Sequence, residues 1–352
     1  MMLPFELKPI LEELGGYDRP SIHVAGSKGK GTTTMLLAHL LKLKGKKVGQ
    51  FVSPYILDER ECIQINGEMI TESEMQRLRE LMPESLSFFE QRTLIALRYF
   101  QEQNCDFVVI EAGWGGEKDA TNVIESKVLT ILTHIELEHT KTLGHDFTEI
   151  TRTKLGICRP GVPLLTPPNQ ELEVNEVINL FGIDVIYCPT VELGIHHPES
   201  VGLVWGAMDQ LGFTIDETEL KELRDLVLPG RFDVIKRGPH TLIMDGAHTH
   251  DSVNYVQNLV HEFTRANEMT QLTWAIHFLR DKPSSLSRLF PKGNTIWVPV
   301  EDARAGLNPE KFRVERVEEL FRELDRLESP QVLVIIGSFK LVAAVKMLLQ
   351  SE

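Results

Sequence analysis

The sequence is poor in cysteine, and its few cysteines are widely spaced. Cys62, Cys105, Cys158 and Cys188 form no CxxC pair and have no short spacing to histidine. The usual sequence patterns of a structural zinc site and of a disulfide framework are therefore both missing. We expect the four thiols to be free and to behave as small buried residues.

Long hydrophobic runs and excess positive charge are also lacking. No stretch reaches the ~18 uncharged apolar residues that a membrane span needs, and the first twenty residues contain acidic side chains and no apolar signal core. We therefore expect a soluble, cytoplasmic protein with no membrane contact. As a separate expectation, the protein is a monomer. The formal net charge of −14 argues against a nucleic-acid partner, because such binding depends on neutralising phosphates. An anionic ligand must then be held by local cations and backbone amides.

The chain is long enough for two domains, since it has 352 residues and single cores stop growing near roughly 250–300 residues. Apolar runs that indicate strands alternate with a helical pattern in the first half. This alternation predicts a parallel sheet covered by helices. The predicted strands are 21–25, 47–52, 107–111 and 127–133, and the predicted helices are 32–43 and 90–103.

A break at Leu228-Pro229-Gly230 separates a second predicted α/β domain. The chain is thus predicted to have a domain of residues 1–228, with a parallel sheet, and a smaller Rossmann-like domain of residues 229–352. Within the second domain we predict strands at 232–236, 241–245 and 331–337 and helices at 251–264 and 341–349.

A glycine- and lysine-rich loop lies between the first predicted strand and helix. It reads Gly26-Ser27-Lys28-Gly29-Lys30-Gly31-Thr32-Thr33. Glycines let backbone amides approach phosphate oxygens, and the helix N-terminus adds partial positive charge. Lys30 is placed to reach the β- and γ-phosphates of a nucleotide, and Thr32 to offer its hydroxyl to Mg²⁺. The spacing is shorter than the general GxxxxGK[ST] pattern, so a turn without a ligand stays an alternative on this motif alone.

Further short motifs follow the loop in a defined order across nearly the whole chain. They are Ser53–Ile56, Arg60–Glu68, Phe88–Glu90, Ile110–Gly116, Asp119–Val123, Glu138–Thr140, Thr153–Ile157, Pro229–Phe232, Asp245–His248, Leu279–Lys282 and Gly337–Ser338. In sequence and order this series resembles the folylpolyglutamate synthase/dihydrofolate synthase family, a branch of the Mur ligase superfamily. The resemblance implies a central P-loop ATPase domain of the Mur ligase type at residues 1–228.

The resemblance also implies a chemistry. Such ligases transfer the γ-phosphoryl group of ATP to a carboxylate, here of a folate-type acid, and the amine of L-glutamate attacks the acyl phosphate. Positioning and charge neutralisation dominate this type of catalysis. Thr32 and Glu111 are expected to bind a first Mg²⁺. By resemblance, a second Mg²⁺ is held by His139 and by Lys154 carbamylated on its amine, which supplies oxygen ligands. The expected catalytic residues are Lys30, His139 and Lys154.

Nucleotide contacts are expected from both domains. The first supplies the loop residues Gly26, Ser27, Gly29, Lys30, Gly31, Thr32 and Thr33. In the second, the resemblance places Arg231 near the phosphates and Asp245 near the ribose, with His248 in the same loop. A site split in this way implies domain closure on ATP, which excludes water from the acyl phosphate.

Several positions depart from the family pattern. The stretch between Pro163 and Pro229 is short, and Tyr55, Ser200 and Thr249 replace a histidine and two asparagines. Lys28 adds a cation that would either strengthen phosphate binding or crowd the acid. Two alternatives follow: a divergent ligase for another acid or amino acid, and a nucleotide-binding regulator with little ligase activity. The residues expected to bind the second metal argue against the regulator.

Overall fold

The computed structural model describes residues 2–138, 140, 142–279, 284–291, 293–300, 316–327 and 329–351. His139 and the motif residues Arg280, Asp281 and Lys282 therefore lie outside the described residues. The chain divides into two compact units, Met1–Leu226 and Val227–Glu352. None of the helices in the described ranges combines the length and the apolar character needed to cross a membrane.

The first unit is built on a mostly parallel sheet. Its strand order is β4-β3-β2-β5-β1-β6-β7-β8, with β3 antiparallel to β2 and β4 and the other neighbours parallel. Strand β1 is buried along its whole length, as expected when helices cover both faces of a parallel sheet. The strands are β1 (Ser21–Ala25), β2 (Val48–Phe51), β3 (Ile63–Ile65), β4 (Glu68–Met69), β5 (Phe107–Glu111), β6 (Lys127–Leu132), β7 (Leu164–Thr166) and β8 (Val185–Tyr187).

Four helices of this unit, α3, α4, α5 and α8, begin at a residue whose side chain caps the helix. For example, the Ser87 hydroxyl accepts a hydrogen bond from Glu90 N at 3.4 Å, and the Glu90 carboxylate accepts one from Ser87 N at 2.6 Å. This reciprocal capping box fixes the start of α4. The helices are α1 (Pro4–Glu13), α2 (Lys30–Leu43), α3 (Glu72–Arg79), α4 (Phe88–Glu102), α5 (Phe147–Leu155), α6 (Leu172–Leu180), α7 (Pro198–Gln210) and α8 (Glu217–Asp225).

The second unit has a smaller sheet in the order β12-β11-β13-β10-β9. Strands β9 and β10 are antiparallel, and the other neighbours are parallel. The strands are β9 (Asp233–Arg237), β10 (His240–Asp245), β11 (Leu272–Ile276), β12 (Thr295–Trp297) and β13 (Val332–Ile336). The helices are α9 (His250–Ala266), α10 (Glu318–Leu324) and α11 (Phe339–Ser351).

The predicted α/β class is confirmed, whereas several element boundaries differ. Helix α2 begins at Lys30, two residues before the predicted start, because Gly29 caps it in a left-handed conformation with φ of 84° that glycine adopts readily. Strand β9 begins at Asp233 because Phe232 has a positive φ of 50°. All four cysteines are free, as predicted, but Cys158 is only partly buried.

Candidate active site

Three adjacent parallel strands end at the same edge of the first sheet. Strand β1 lies between β5 and β6, so their carboxyl ends lie side by side. The phosphate loop follows β1, Glu111 is the last residue of β5, and the segment 133–138 follows β6. Because ligands of open α/β sheets bind at such strand ends, this edge is the candidate site.

The phosphate loop is held against the segment that follows β6. Ser27 N and Lys28 N both donate to His134 O, at 2.9 and 3.3 Å. Gly26 has a φ of 141°, and a Cβ at this position would lie 1.9 Å from Thr133 Oγ1. Only glycine fits this close approach. Any substitution at Gly26 would therefore change the backbone conformation of the phosphate loop.

The remaining loop residues form the start of α2. Gly29 is the N-cap, and Gly31, Thr32 and Thr33 lie in the first turn. Thr33 is buried and Thr32 is partly exposed. The N-terminal amides and dipole of α2 are thus at the sheet edge, which favours an anion there.

Lys30 and Lys154 converge on one backbone carbonyl. Lys30 Nζ donates to Gly26 O at 3.1 Å and to Ser27 O at 3.3 Å. Lys154 Nζ, from α5, donates to the same Gly26 O at 2.8 Å and lies 3.0 Å from Glu138 Oε1. Burial lowers the pKa of Lys154 to about 8, with Glu138 opposing and Lys30 assisting the shift. Two of the three predicted catalytic residues are therefore brought together.

The additional loop cation, Lys28, has a carboxylate beside it. Its Nζ lies 2.8 Å from Glu136 Oε1, and both side chains are 17% exposed. Glu136 belongs to the segment after β6, which the Ser27 hydroxyl also contacts through Glu136 O at 3.2 Å. The charge of Lys28 is consequently balanced within the protein.

Glu111 is buried at the end of β5. Its Oε2 accepts a hydrogen bond from Ser53 N at 3.1 Å. The glycine turn after Glu111 packs against α5, since a Cβ on Gly116 would lie 2.6 Å from Lys154 O. Asp119 holds that turn by accepting hydrogen bonds from Trp114 N at 2.6 Å and Thr121 N at 3.0 Å. The turn that follows Glu111 thus links the end of β5 to α5, the helix that carries Lys154.

The donor chemistry at this edge fits Mg²⁺. Among the residues that the structure describes, no group of three or more His, Cys, Asp or Glu side chains is clustered to hold a metal. Mg²⁺ does not need such a cluster, because it is usually bound through one or two carboxylates together with substrate phosphates and water. A buried carboxylate, Glu111, and the hydroxyl of Thr32 beside a phosphate loop supply oxygen donors of this kind.

In the second unit, Asp245 is the last residue of β10, and Arg231 lies in the turn before β9. Asp245 accepts hydrogen bonds from Phe232 N at 2.8 Å and from Ala247 N at 2.7 Å. Burial raises the pKa of Asp245 to about 6, against the lowering effect of these amides and of Arg231. The Arg231 guanidinium lies 5.2 Å from the centre of the Phe339 ring. Asp245 therefore shapes the loop that carries Arg231.

Two positions that depart from the family pattern have defined places. Thr249 is the N-cap of α9, where its hydroxyl accepts from Ser252 N at 3.3 Å, so it stabilises the helix start. His248, beside it, has Nδ1 2.7 Å from Gly246 O. In the first unit, Ser200 lies at the phosphate loop, because a Cβ on Gly29 would lie 3.0 Å from Ser200 Oγ.

The sequence analysis did not single out one charged residue near this edge, Arg92. Arg92 is buried on α4 with its guanidinium among aromatic rings. The signal was present, since Arg92 occupies a helical position three residues after Phe89 and four before Ala96, on a face that is otherwise apolar. A cation at such a position indicates either a buried partner or a ligand.

Among known proteins the chain resembles folylpolyglutamate synthases and dihydrofolate synthases, although no family model matches it. It is 30% identical over 301 residues to a dihydrofolate synthase/folylpolyglutamate synthase of Buchnera aphidicola, covering 73% of this chain and 69% of that protein. It is 31% identical over 288 residues to a probable bifunctional folylpolyglutamate synthase/dihydropteroate synthase of Haloferax volcanii, covering 69% of this chain. The chain spans about a third (34%) of the length of that second relative.

A solved structure shares the architecture of the whole chain. It is a bifunctional folylpolyglutamate synthase/dihydrofolate synthase with Mn, AMPPNP and L-glutamate bound. The two chains are 25% identical and superpose with a TM-score of 0.86, covering 99% of this chain and 95% of that one. The fold of this chain is therefore similar to that of an enzyme whose structure has been solved with a nucleotide analogue.

Proposed function

The chain belongs to the folylpolyglutamate synthase/dihydrofolate synthase family, and on this premise we propose that it is an ATP-dependent ligase that joins a folate-type carboxylic acid to L-glutamate. The observation that carries the proposal is the convergence of Lys30 and Lys154 on Gly26 O, at the sheet edge where Glu111 ends β5. A solved relative with a nucleotide analogue, a divalent metal and L-glutamate bound supports the choice of reactants. The monomeric state and the cytoplasmic location stay predictions.

The proposed reaction has two steps. An oxygen of the acid's carboxylate attacks the γ-phosphorus of ATP, so that ADP leaves and an acyl phosphate forms. The glutamate amine then attacks the acyl carbon, the carbon–oxygen bond to phosphate breaks, and inorganic phosphate leaves as the amine loses a proton. Lys30 and the N-terminus of α2 stabilise the negative charge of the transferring phosphoryl group, which is where such enzymes gain most of their rate.

Mg²⁺ would supply charge neutralisation at the phosphates when bound. Thr32 and Glu111 are the residues proposed to hold one ion. Lys154 and His139 are proposed to hold a second, and His139 lies outside the described residues. These assignments are inherited from the family and supported by the oxygen donors at the sheet edge.

Carbamylation of Lys154 is supported by its surroundings. The reaction needs the neutral amine, whose lone pair attacks the carbon of CO₂ with release of a proton, and burial lowers the pKa of Lys154 to about 8. The carbamate would lie beside the Glu138 carboxylate, which is 3.0 Å from Nζ. Two neighbouring anions are stable only with a cation at hand, so this modification and a metal site require each other.

Arg231, Asp245 and His248 are proposed as the nucleotide contacts of the second unit. Asp245 has both carboxylate oxygens engaged by backbone amides, which supports a role in shaping the loop that presents Arg231. Arg231 has the charge to bind phosphate.

The test is a product analysis with purified protein, ATP, Mg²⁺ and L-glutamate. With dihydropteroate or tetrahydrofolate as the acid, we expect ADP and phosphate in equal amounts and a product heavier by one glutamyl residue in the mass spectrum. If neither acid yields ADP above background, the folate assignment is wrong. Turnover with another acid or amino acid would then establish the divergent ligase, and tight ATP binding with no turnover in a broad panel would establish the regulator.

A further inference from the structure

Arg92 is a buried cation held among aromatic rings. It is 8% exposed, and its guanidinium carbon lies 4.2 Å from the centre of the Phe88 ring, 5.4 Å from that of Tyr55 and 6.0 Å from that of Phe89. Its Nη1 donates to Cys62 Sγ at 3.5 Å. These contacts are all to apolar or weakly polar groups.

The charge of Arg92 is not balanced by an acid in the described part of the chain. No carboxylate there lies within ion-pair distance of it, and its buried Nε has no hydrogen-bond acceptor. Burial raises the pKa of the Cys62 thiol to about 12, so this neighbour stays neutral. By contrast Arg98, on the same helix, lies 2.8 Å from Glu102. A buried charge without a counter-ion is costly, although aromatic faces offset part of the cost.

The position of Arg92 connects it to the ligation site. Phe89 packs on the turn after β5, because a Cβ on Gly113 would lie 2.2 Å from Phe89 Cζ. Tyr55 lies two residues after Ser53, whose amide donates to Glu111. None of the hydrogen bonds or ring contacts of Arg92 in the described ranges involves the phosphate loop. Arg92 is thus near the carboxyl end of β5, where Glu111 lies, but it does not contact the phosphate loop.

We propose that Arg92 is a specificity-determining residue for the acid substrate, and that its guanidinium binds a carboxylate of that acid other than the one that is phosphorylated. Tyr55 and Phe88 pack against the aromatic ring of the acid; Phe88 is 51% exposed and is available for this contact. The inference rests on the proposed function and narrows it. The preferred acids are aromatic compounds with at least two carboxylates, such as a folate that already carries a glutamyl group.

The first experiment measures binding without catalysis, so that it does not depend on ligase activity. Isothermal titration compares p-aminobenzoylglutamate, which has two carboxylates, with p-aminobenzoate, which has one. We expect the wild type to bind the first at least about tenfold more tightly, as a charge-assisted pair implies. Arg92→Met should bring the two affinities to within about twofold. Arg98→Met, which removes a cation of the same helix that already has a carboxylate partner, should keep the preference.

A second experiment measures steady-state kinetics with tetrahydrofolate and dihydropteroate. We expect Arg92→Met to raise KM for tetrahydrofolate about tenfold and to leave KM for ATP and for dihydropteroate within about twofold of the wild type. Arg92→Lys retains the charge and should recover part of the loss, which a purely structural role in packing the rings would not produce.

The outcomes separate the inference from the function on which it rests. Equal binding of the two benzoates by the wild type, or an unchanged preference in Arg92→Met, overturns the subsite. If Arg92→Met does not fold, the wild-type preference and the partial effect of Arg92→Lys decide the question in the same way. A clear preference in binding, combined with no turnover of any folate, supports the subsite and overturns the folate ligase.

Discussion

Lys154 and Arg92 are both buried cations of the first unit, and their surroundings are opposite in kind. Lys154 has a carboxylate, Glu138, at 3.0 Å and a backbone carbonyl at 2.8 Å. Arg92 has three aromatic rings and a thiol. A charge that the protein itself balances can be held in one position before any ligand arrives. A charge that is surrounded by aromatic rings is instead available to a ligand of opposite charge. The surroundings of Lys154 therefore suit a catalytic residue, and those of Arg92 suit a residue that binds substrate.

The largest expected effect follows from removing the cation at the reacting edge. Lys154→Met should lower turnover at least about 100-fold, because no carbamate can form and Gly26 O loses a donor. ATP binding, measured by titration with a non-hydrolysable analogue, should change by less than about threefold, and added bicarbonate should not restore activity. Undiminished turnover in this variant would remove Lys154 from the mechanism.

The second prediction compares how much the protein loses in free energy of unfolding when the surroundings of Lys154 and of Arg92 are changed. In buffer free of CO₂, bicarbonate and divalent metal, Lys154 is an unmodified ammonium, and Glu138→Gln then takes away the carboxylate beside this buried charge. The change should lower the free energy of unfolding by about 2 kcal/mol. Arg92→Met removes a cation that has no acid beside it in the described ranges, and should change the same free energy by less than about 1 kcal/mol or raise it. Urea unfolding at neutral pH measures both. Equal losses of unfolding free energy in the two variants would contradict this difference between Lys154 and Arg92.

The third prediction uses another buried cation whose hydrogen-bond partners are neutral. Lys127 Nζ donates to Asn122 Oδ1 at 2.6 Å and to Ile157 O at 2.7 Å. Burial, with a smaller effect of Arg159, lowers the pKa of Lys127 from 10.5 to about 7. Below pH 7 the lysine is protonated in both the folded and the unfolded state, and the folded state bears the full cost of the buried charge.

Between about pH 7 and 10.5 only the unfolded state binds this proton, so the folded state gains stability as the pH rises. The free energy of unfolding of the wild type relative to Lys127→Met should therefore increase from pH 7 to pH 9, by at most about 1.4 kcal/mol per pH unit. Urea unfolding at a series of pH values measures this difference. A difference that does not change with pH would contradict the buried position of the charge.

The smallest effect is expected at the phosphate loop itself. Lys28 lies 2.8 Å from Glu136, so Lys28→Asn should change KM for ATP by less than about threefold. Glu136→Gln is the matched variant, which leaves Lys28 without this carboxylate and should lower KM for ATP. A rise of tenfold or more in Lys28→Asn would show that the loop cation binds the phosphates directly.

The sequence predicted the central strands well because they are buried on both faces. The predicted strands 21–25 and 107–111 are found with the same bounds as β1 and β5, since short apolar runs ending in polar loops have few other interpretations. Helix starts were harder. Glycines at 29 and 31 argue against helix, yet a left-handed Gly29 is a good cap for a helix that begins at Lys30.

The candidate site was predictable as a set of loops and not as a set of contacts. Parallel strands bring the phosphate loop and Glu111 to the same edge, which periodicity already implies. Lys30 and Lys154 both donate to Gly26 O, although Lys154 is 128 residues from Gly26 in the chain. This shared contact depends on how α5 packs. The pairing of Lys28 with Glu136 is likewise a property of the tertiary structure. So is the lack of a nearby acid for Arg92 among the residues that the structure describes. No local pattern encodes them.

The most direct test of the proposed reaction follows one oxygen atom. The acid substrate is prepared with ¹⁸O in its reacting carboxylate and is incubated with the protein, ATP, Mg²⁺ and L-glutamate, and the phosphate released is analysed by mass spectrometry. An acyl-phosphate route transfers one carboxylate oxygen to phosphate, so we predict one ¹⁸O atom in each phosphate released with product. Product formation with unlabelled phosphate would contradict the account.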